Sequence, residues 1–399
     1  MVDVQHATPQ GASHSYRYLD AAATAPLRPE ARAAMIEVLD AGPGNASSVH
    51  SAGHRAGSVV AQARAEIAAA FGARPSEVVF ASGGTEANNL AVIGLALANP
   101  RGRHLVTSAI EHPSVAESCR YLQRMHGFEL DEVAVDSAGM IDLRDVAAVL
   151  RDDTTLVTIG LANGEIGTVQ PIPEIATLAR AYGALVHTDA VQAAASLPVS
   201  FAGGWPGSAV DAMSLASHKF GGPQGAGALL LRSGIAIEPL LHGGGQESER
   251  RSGTENVAAL AGFAAAVAAT VGGIGTRAMA LAACRDELIG RVVGEVRGAR
   301  LTGHPEERLP GHASFVVEGV SGESLLVALD AAGIAASSGS ACAAGKDEPS
   351  PTLLAMGLPP VLAQTAIRFT LAEPVDSALI DRIAGVLLAE TATAAAKRR

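Results

Sequence analysis

The sequence predicts an α/β protein, with a large domain built on a mainly parallel sheet and a smaller α+β domain after it. Two observations carry this. Short apolar runs, EVVFAS, RHLVTSA, TTLVTIGLA and GALVHTDA, alternate with Ala-rich helical segments such as AGSVVAQARAEIAAAF and IPEIATLARAYG, which marks βαβ units with helices on the faces of a sheet. From about Thr276 the pattern changes to a long charged helix, strands near SFVVEGV, another helix and the Gly/Ser-rich SSGSACAAGKDEPSP, as a second unit would. We expect residues 1–16 as a flexible tail, 17–262 as the large domain and 263–399 as the small one. The first residues after the tail are expected to pack with the small domain.

With 399 residues, 48% of them apolar and 17% charged, the chain can bury a large core in more than one domain. Its 29 Lys plus Arg against 40 Asp plus Glu leave a net charge of -11, which disfavours nucleic acid and anionic membranes as partners. Cys119, Cys284 and Cys342 lie far apart without CxxC or Cys/His spacing, so neither a disulfide framework nor a metal site is expected, and a reducing cytoplasm fits best. The opening MVDVQHATPQGASHS has no apolar core and no cluster of positive charge, unlike a signal peptide. Residues 257–275 carry no charge over a membrane-spanning length, but they are mostly Ala and Gly, and Leu260, Phe263, Val267 and Val271 recur at three- and four-residue steps. That stripe predicts a buried helix linking the two domains.

Ligands of open α/β sheets sit at the carboxyl ends of strands, so the residues just past the apolar runs matter most. SGGTEANN (residues 82–89) follows EVVFA and opens a helical pattern, where glycines let the backbone approach a ligand and free N–H groups favour an anion. Capping alone would account for such a turn. VHTDAVQAA places Asp189 at the end of an apolar run with Gln192 beyond it, and SLASHKFGGPQGAGALLL sets Lys219 among small residues. A buried ammonium is costly unless paired or neutralised. A Schiff base neutralises it, and a carbonyl cofactor needs that lysine, a carboxylate for its ring nitrogen and phosphate donors, all offered here at successive strand ends.

These residues resemble the fold-type I pyridoxal-phosphate enzymes, and specifically the group I cysteine desulfurases of the NifS and IscS type. The likeness runs in order through YLDAAATAPLRPE, GNASSVH, SGGTEANNLA, EHPSV, NGEIGTVQP, HTDAVQ, SHKFGGPQGAGAL, HGGGQESERRSGTEN, SSGSAC and IRFTL, from residue 18 to about residue 390. It implies a large domain with a mainly parallel seven-stranded sheet and pyridoxal 5'-phosphate bound as a Schiff base to Lys219, which then shuttles protons. Asp189 would pair with the pyridine nitrogen, Gln192 with the phenolic oxygen, and His112 would stack on the ring and assist proton transfer at sulfur. Gly84, Thr85, Ser217 and His218 would hold the phosphate, joined by Thr254 from a partner subunit, so a homodimer is implied. Arg368 would clamp the substrate carboxylate, with Asn163 beside the cofactor and substrate. Cys342, in a small and polar stretch that suits a mobile loop, would attack the sulfur of L-cysteine, leaving L-alanine and a persulfide for an acceptor such as an iron–sulfur scaffold or a tRNA-thiolation protein. Cys119 and Cys284 lie in helical patterns and read as inert.

Two positions depart from the family pattern. Gly164 stands where the family commonly has Asn, removing a polar side chain near the substrate carboxylate, and Ala216 stands where Ser is usual, removing one phosphate hydroxyl. After Arg368 the sequence runs into an Ala-rich helical pattern and AKRR, which differs from the longer tail that helps some relatives dock an iron–sulfur scaffold, so that partner is not expected from the tail. A related class V enzyme, such as a C–S lyase, selenocysteine lyase or aminotransferase, would keep Lys219 and Asp189 without needing Cys342, and a non-catalytic accessory protein of the same fold is the third reading.

Overall fold

The computed structural model describes residues 16–99, 101–338 and 348–397. The expected tail up to residue 15, and Cys342 with its neighbours, lie outside them. The chain opens with β1 (Arg17–Tyr18), α1 (Pro29–Asp40) and α2 (Ser51–Phe71); β2 (Val78–Ala81) then turns into α3 (Gly84–Asn89), which runs through a π-helical turn into α4 (Leu95–Ala98). Next come β3 (His104–Ser108), α5 (Pro113–His126), β4 (Glu129–Val133), α6 (Leu143–Val149), β5 (Thr154–Thr158), α7 (Ile172–Ala181), β6 (Leu185–Asp189), β7 (Ala212–Ala216) and β8 (Gly227–Leu231). After α8 (Val257–Val271) and α9 (Ile274–Glu295) the chain forms β9 (Ala299–Leu301), β10 (His312–Val317), α10 (Gly322–Ala331), β11 (Ile334–Ala335), α11 (Pro351–Ala355), α12 (Pro360–Ala363), β12 (Ala366–Thr370) and α13 (Ser377–Lys397).

Seven strands form the main sheet in the order β2-β8-β7-β6-β5-β3-β4. All neighbours pair in parallel except β8, which is antiparallel to both β2 and β7. The expected seven-stranded, mainly parallel sheet is therefore present. Alternate residues of one strand enter different cores: Val78 and Phe80 pack on the side of α2, α7 and α8, while Val79 and Ala81 pack with Leu90, Val115 and Leu122. Burial on both faces explains the unbroken apolar runs of β2 and β8, where neither set of side chains meets water.

Residues 257–275 do not form one helix. The helical path breaks between α8 and α9 with a bend of 70°, because Gly273 takes a φ of 85° that a residue with a Cβ rarely adopts. Phe263 and Val267 of α8 pack in the core of the main sheet, whereas Leu281, Leu288 and Val292 of α9 join Phe315, Phe369 and Ile383 in a separate core. That second core covers the antiparallel sheet β12-β10-β9, and β1 pairs in parallel with β11 beside it. Among the described residues no single helix is long and apolar enough to cross a membrane.

Candidate active site

Because β8 alone runs backward, β2, β3, β5, β6 and β7 deliver their carboxyl ends to one edge of the sheet. A cavity of about 620 Å³ opens there, lined by Gly84 and Thr85 after β2, His112 after β3, Asn163 after β5, Asp189 and Gln192 at β6, and His218 and Lys219 after β7. Arg368 of β12 closes it from the second sheet. Nine of the sequence-predicted residues are thus brought together. Ser217 is fully buried and does not line the cavity, and its Oγ has no hydrogen-bond partner among the described residues. Thr254 is exposed and stands outside the cavity.

Lys219 follows β7 in a 3₁₀ turn, and its Nζ donates to the carbonyl oxygens of Ala22 and Ala23. Burial and the neighbouring Lys219 charge push His218 down to about 4, so it stands neutral, with Nδ1 3.2 Å from Thr24 Oγ1. Asp189, on the adjacent strand, accepts from Asn88 Nδ2 at 2.7 Å and from the Val191 N–H at 2.9 Å. His187, two residues earlier and fully buried, is pushed down to about 3 by desolvation and bridges Thr158 and Ser214. It stiffens the sheet beneath Asp189 without charge.

His112 caps α5, its Nδ1 accepting from the Ser114 N–H at 3.1 Å, with Pro113 in the first turn where no amide hydrogen is needed. Asn163 shapes its own turn: its Oδ1 accepts from the Glu165 and Ile166 N–H groups, and its Nδ2 donates to the Ile110 carbonyl at 2.8 Å. Gly164 leaves room for Gln192, since a Cβ there would meet Gln192 Nε2 at 2.8 Å. Gln192 donates from that nitrogen to the Ala22 carbonyl at 3.0 Å, filling the space that the missing side chain leaves. Arg368 donates to the Gly164 carbonyl at 2.9 Å and to Asp20 Oδ1 at 2.8 Å. Backbone is close at Gly84 too, where a Cβ would come within 2.8 Å of Val191 Cγ2.

Sequence reasoning missed the glutamates on the cavity wall, Glu111, Glu165 and Glu348, and two of them are desolvated. Glu111 accepts from Ser108 Oγ at 2.6 Å and from the Gly160 N–H with both oxygens, yet desolvation outweighs these bonds and pushes it up to about 7. Glu165 is also held above the usual carboxylate range by desolvation, and its Oε1 has no hydrogen-bond partner among the described residues. Both stand in the motifs EHPSV and NGEIGTVQP, but nothing in a sequence tells a buried glutamate from a solvated one.

The donor set suits a phosphorylated carbonyl cofactor. The cavity combines an amine at Lys219, a hydrogen-bonded carboxylate at Asp189 and a close-packed glycine at the start of the helical stretch from α3 to α4.

Residues 17–383 match the aminotransferase class-V family. The cysteine desulfurase IscS of Dictyoglomus turgidum is 42% identical over 355 residues, 89% of this chain and 89% of that one. A solved NifS-like protein superposes with a TM-score of 0.87 at 32% identity, covering 95% of this chain and 100% of its own. SspA, solved in complex with cysteine, gives a TM-score of 0.78 at 31% identity over 90% of this chain and 100% of its own. With the lysine, carboxylate and arginine converging at one sheet edge, the chain belongs to the class V aminotransferase family, among its IscS- and NifS-like cysteine desulfurases.

Proposed function

We propose that this cavity holds pyridoxal 5'-phosphate on Lys219 and takes sulfur from L-cysteine to Cys342, releasing L-alanine. One observation carries the reading: Lys219 and Asp189 leave adjacent strands into the same cavity that Arg368 closes from the second sheet. When bound, the cofactor supplies an electron sink that weakens the Cα–H and Cβ–S bonds of the substrate. Asp189 would pair with its ring nitrogen and Gln192 with its phenolic oxygen, while Gly84, Thr85, Ser217 and His218 would hold the phosphate. Ala216 offers no hydroxyl for that task, at a cost of about 1 kcal/mol in cofactor binding.

Arg368 would hold the substrate carboxylate by paired hydrogen bonds, for which guanidinium is suited, with Asn163 keeping the neighbouring loop in place. Lys219 Nζ would take the Cα proton and return it to carbon. Cys342 thiolate would attack the substrate sulfur: the S–S bond forms, the Cβ–S electrons remain on carbon, and a persulfide stays on the protein. The other two thiols are poor competitors. Desolvation pushes Cys119 up to about 12, and Cys284 Sγ donates to the Val375 carbonyl at 3.3 Å. Ser337, bridged to Arg368, and Glu348 to Thr352, which include cavity-lining residues, flank the segment that carries Cys342.

The exposed Thr254 supports a homodimer in which it serves the phosphate of the other copy. A sulfur-acceptor protein, an iron–sulfur scaffold or a tRNA-thiolation protein, would complete the cycle in a reducing cytoplasm. We place the division between the large and small domains at the Gly273 bend and not at residue 262, because all of α8 packs with the main sheet. The test is to mix the purified protein with L-cysteine, quantify alanine, and map the persulfide by mass spectrometry. Cys342→Ser should keep the yellow cofactor and lose both persulfide and sulfide release. Unchanged turnover in that variant would assign the chain to the C–S lyases or aminotransferases of the same family.

A further inference from the structure

Asn88 is almost wholly buried in α3, and its side chain joins Asp189 to the start of α5. Nδ2 donates to Asp189 Oδ2 at 2.7 Å and to Ser114 Oγ at 2.9 Å. A carboxylate only accepts, so the amide turns its NH₂ toward Asp189, and both of its N–H bonds are then used. Ser114 Oγ receives one of them and has its own hydrogen left to give. The acceptor in reach is His112 Nδ1, at 2.7 Å. The main-chain N–H of Ser114 points at the same ring nitrogen from 3.1 Å. An amide N–H cannot accept, so Nδ1 is unprotonated and the neutral ring carries its hydrogen on Nε2.

We propose that Ser114, held by Asn88 against Asp189, is a positioning residue that fixes His112 as the Nε2–H tautomer and presents it to the cavity as a hydrogen-bond donor. This assignment rests on the reading of the cavity as a desulfurase site and names the form in which His112 enters it. Toward the substrate sulfur, Nε2–H gives a hydrogen bond and does not accept one, since a neutral ring that released this proton would be left as an imidazolate. The same chain ties the orientation of the imidazole to the carboxylate expected at the cofactor ring nitrogen. One network spanning α3 and the start of α5 thereby sets both groups.

Nitrogen NMR of the holoenzyme, isotopically labelled in its histidine rings, reads the tautomer directly, with the His112 signals identified by their loss in His112→Gln. A protonated Nε2 and an unprotonated, hydrogen-bonded Nδ1 are expected. A protonated Nδ1 would overturn the proposal. In Ser114→Ala the Nδ1 resonance should move toward that of a free imidazole nitrogen, and kcat for alanine formation should fall about threefold to tenfold, the value of one neutral hydrogen bond. KM for L-cysteine and cofactor content should stay near wild type, and Ser114→Thr should restore both kcat and the resonance. A Ser114→Ala enzyme with wild-type kcat and an unmoved Nδ1 signal refutes the role of Ser114. Should that variant not fold, Ser114→Cys, a weaker donor of similar size, must fall between wild type and the loss just given. Failure of the underlying reading looks different: a holoenzyme that shows the expected tautomer but forms no alanine from L-cysteine removes the desulfurase assignment and the catalytic part of the proposal with it.

Discussion

Nη2 of Arg368 lies 2.8 Å from Oδ1 of Asp20, joining two residues 348 positions apart in the chain. The arginine side chain is 4% exposed and the aspartate 18%, so this pair is only weakly screened by solvent. Asp20→Ala should lower stability by about 2–4 kcal/mol, measured by urea denaturation, because it leaves a buried cation without this carboxylate. Arg368→Lys should raise KM for L-cysteine about tenfold or more, since an ammonium cannot form two parallel bonds to one carboxylate. An unchanged KM would remove Arg368 from the substrate site.

Gly164→Asn restores the residue common in the family but puts a Cβ 2.8 Å from Gln192 Nε2. Gln192 must then leave its place against the Ala22 carbonyl. Pyridoxal phosphate should bind about threefold to tenfold more weakly, by the loss of one well-placed hydrogen bond. Fluorescence titration of the apoprotein reads this directly, and equal affinity would mean that Gln192 finds an equivalent position.

Glu111 gives a pH signature. The unfolded chain releases this proton near the ordinary value of 4.5, whereas desolvation holds it in the folded chain up to about 7. The stabilising contribution is therefore complete below the lower value and is lost as pH rises through the upper one. Between about pH 5 and about pH 8, wild type should lose on the order of 1–3 kcal/mol relative to Glu111→Gln, less than full burial would give because the cavity admits some water. Thermal unfolding of the two proteins across that range is the measurement. A constant difference in Tm would show that Glu111 does not change charge there.

The turn before Thr254 is strained and clamped. Glu247, Ser248 and Glu249 have φ values of 51°, 57° and 65°, a run that L-residues avoid. Glu247 holds it, with a side chain 1% exposed that accepts from Arg64 at 2.6 and 2.7 Å and from the Phe80 N–H at 2.9 Å. Ser248→Gly should stabilise the protein by about 0.5–1 kcal/mol by relieving φ. Arg64→Met should destabilise it by about 3 kcal/mol, because Glu247 then keeps its charge in the interior without its main partner. Calorimetry of both variants separates the two effects, and a neutral Arg64→Met would deny the clamp.

Much of the site is legible in the order of residues alone. Lys219, Asp189, Thr85 and His112 each follow an apolar run, and a parallel sheet sends the ends of such runs to one edge. The strands themselves are readable because burial on both faces favours apolar side chains at their centres, as in β2 and β8. Relations across long sequence separations are not. The Asp20–Arg368 pair, Gln192 filling the space above Gly164, and the Asn88 link from Asp189 to Ser114 depend on where distant segments meet. The uncharged stretch of residues 257–275 signals burial and helix, but the break within it depends on the φ of Gly273, and composition carries no sign of an angle.

Residues 17–24 touch everything that must act together. Leu19 and Ala21 donate to the carbonyls of Ala335 in β11 and Thr370 in β12, while the carbonyls of Ala22 and Ala23 receive Lys219, and Ala22 also receives Gln192. A displacement of the C-terminal half would be felt at the lysine through this short ribbon. Trimming the front of the chain beyond residue 24 would cut a tether between the second sheet and the amine of Lys219, and fusions at that end are safe only if the ribbon stays whole.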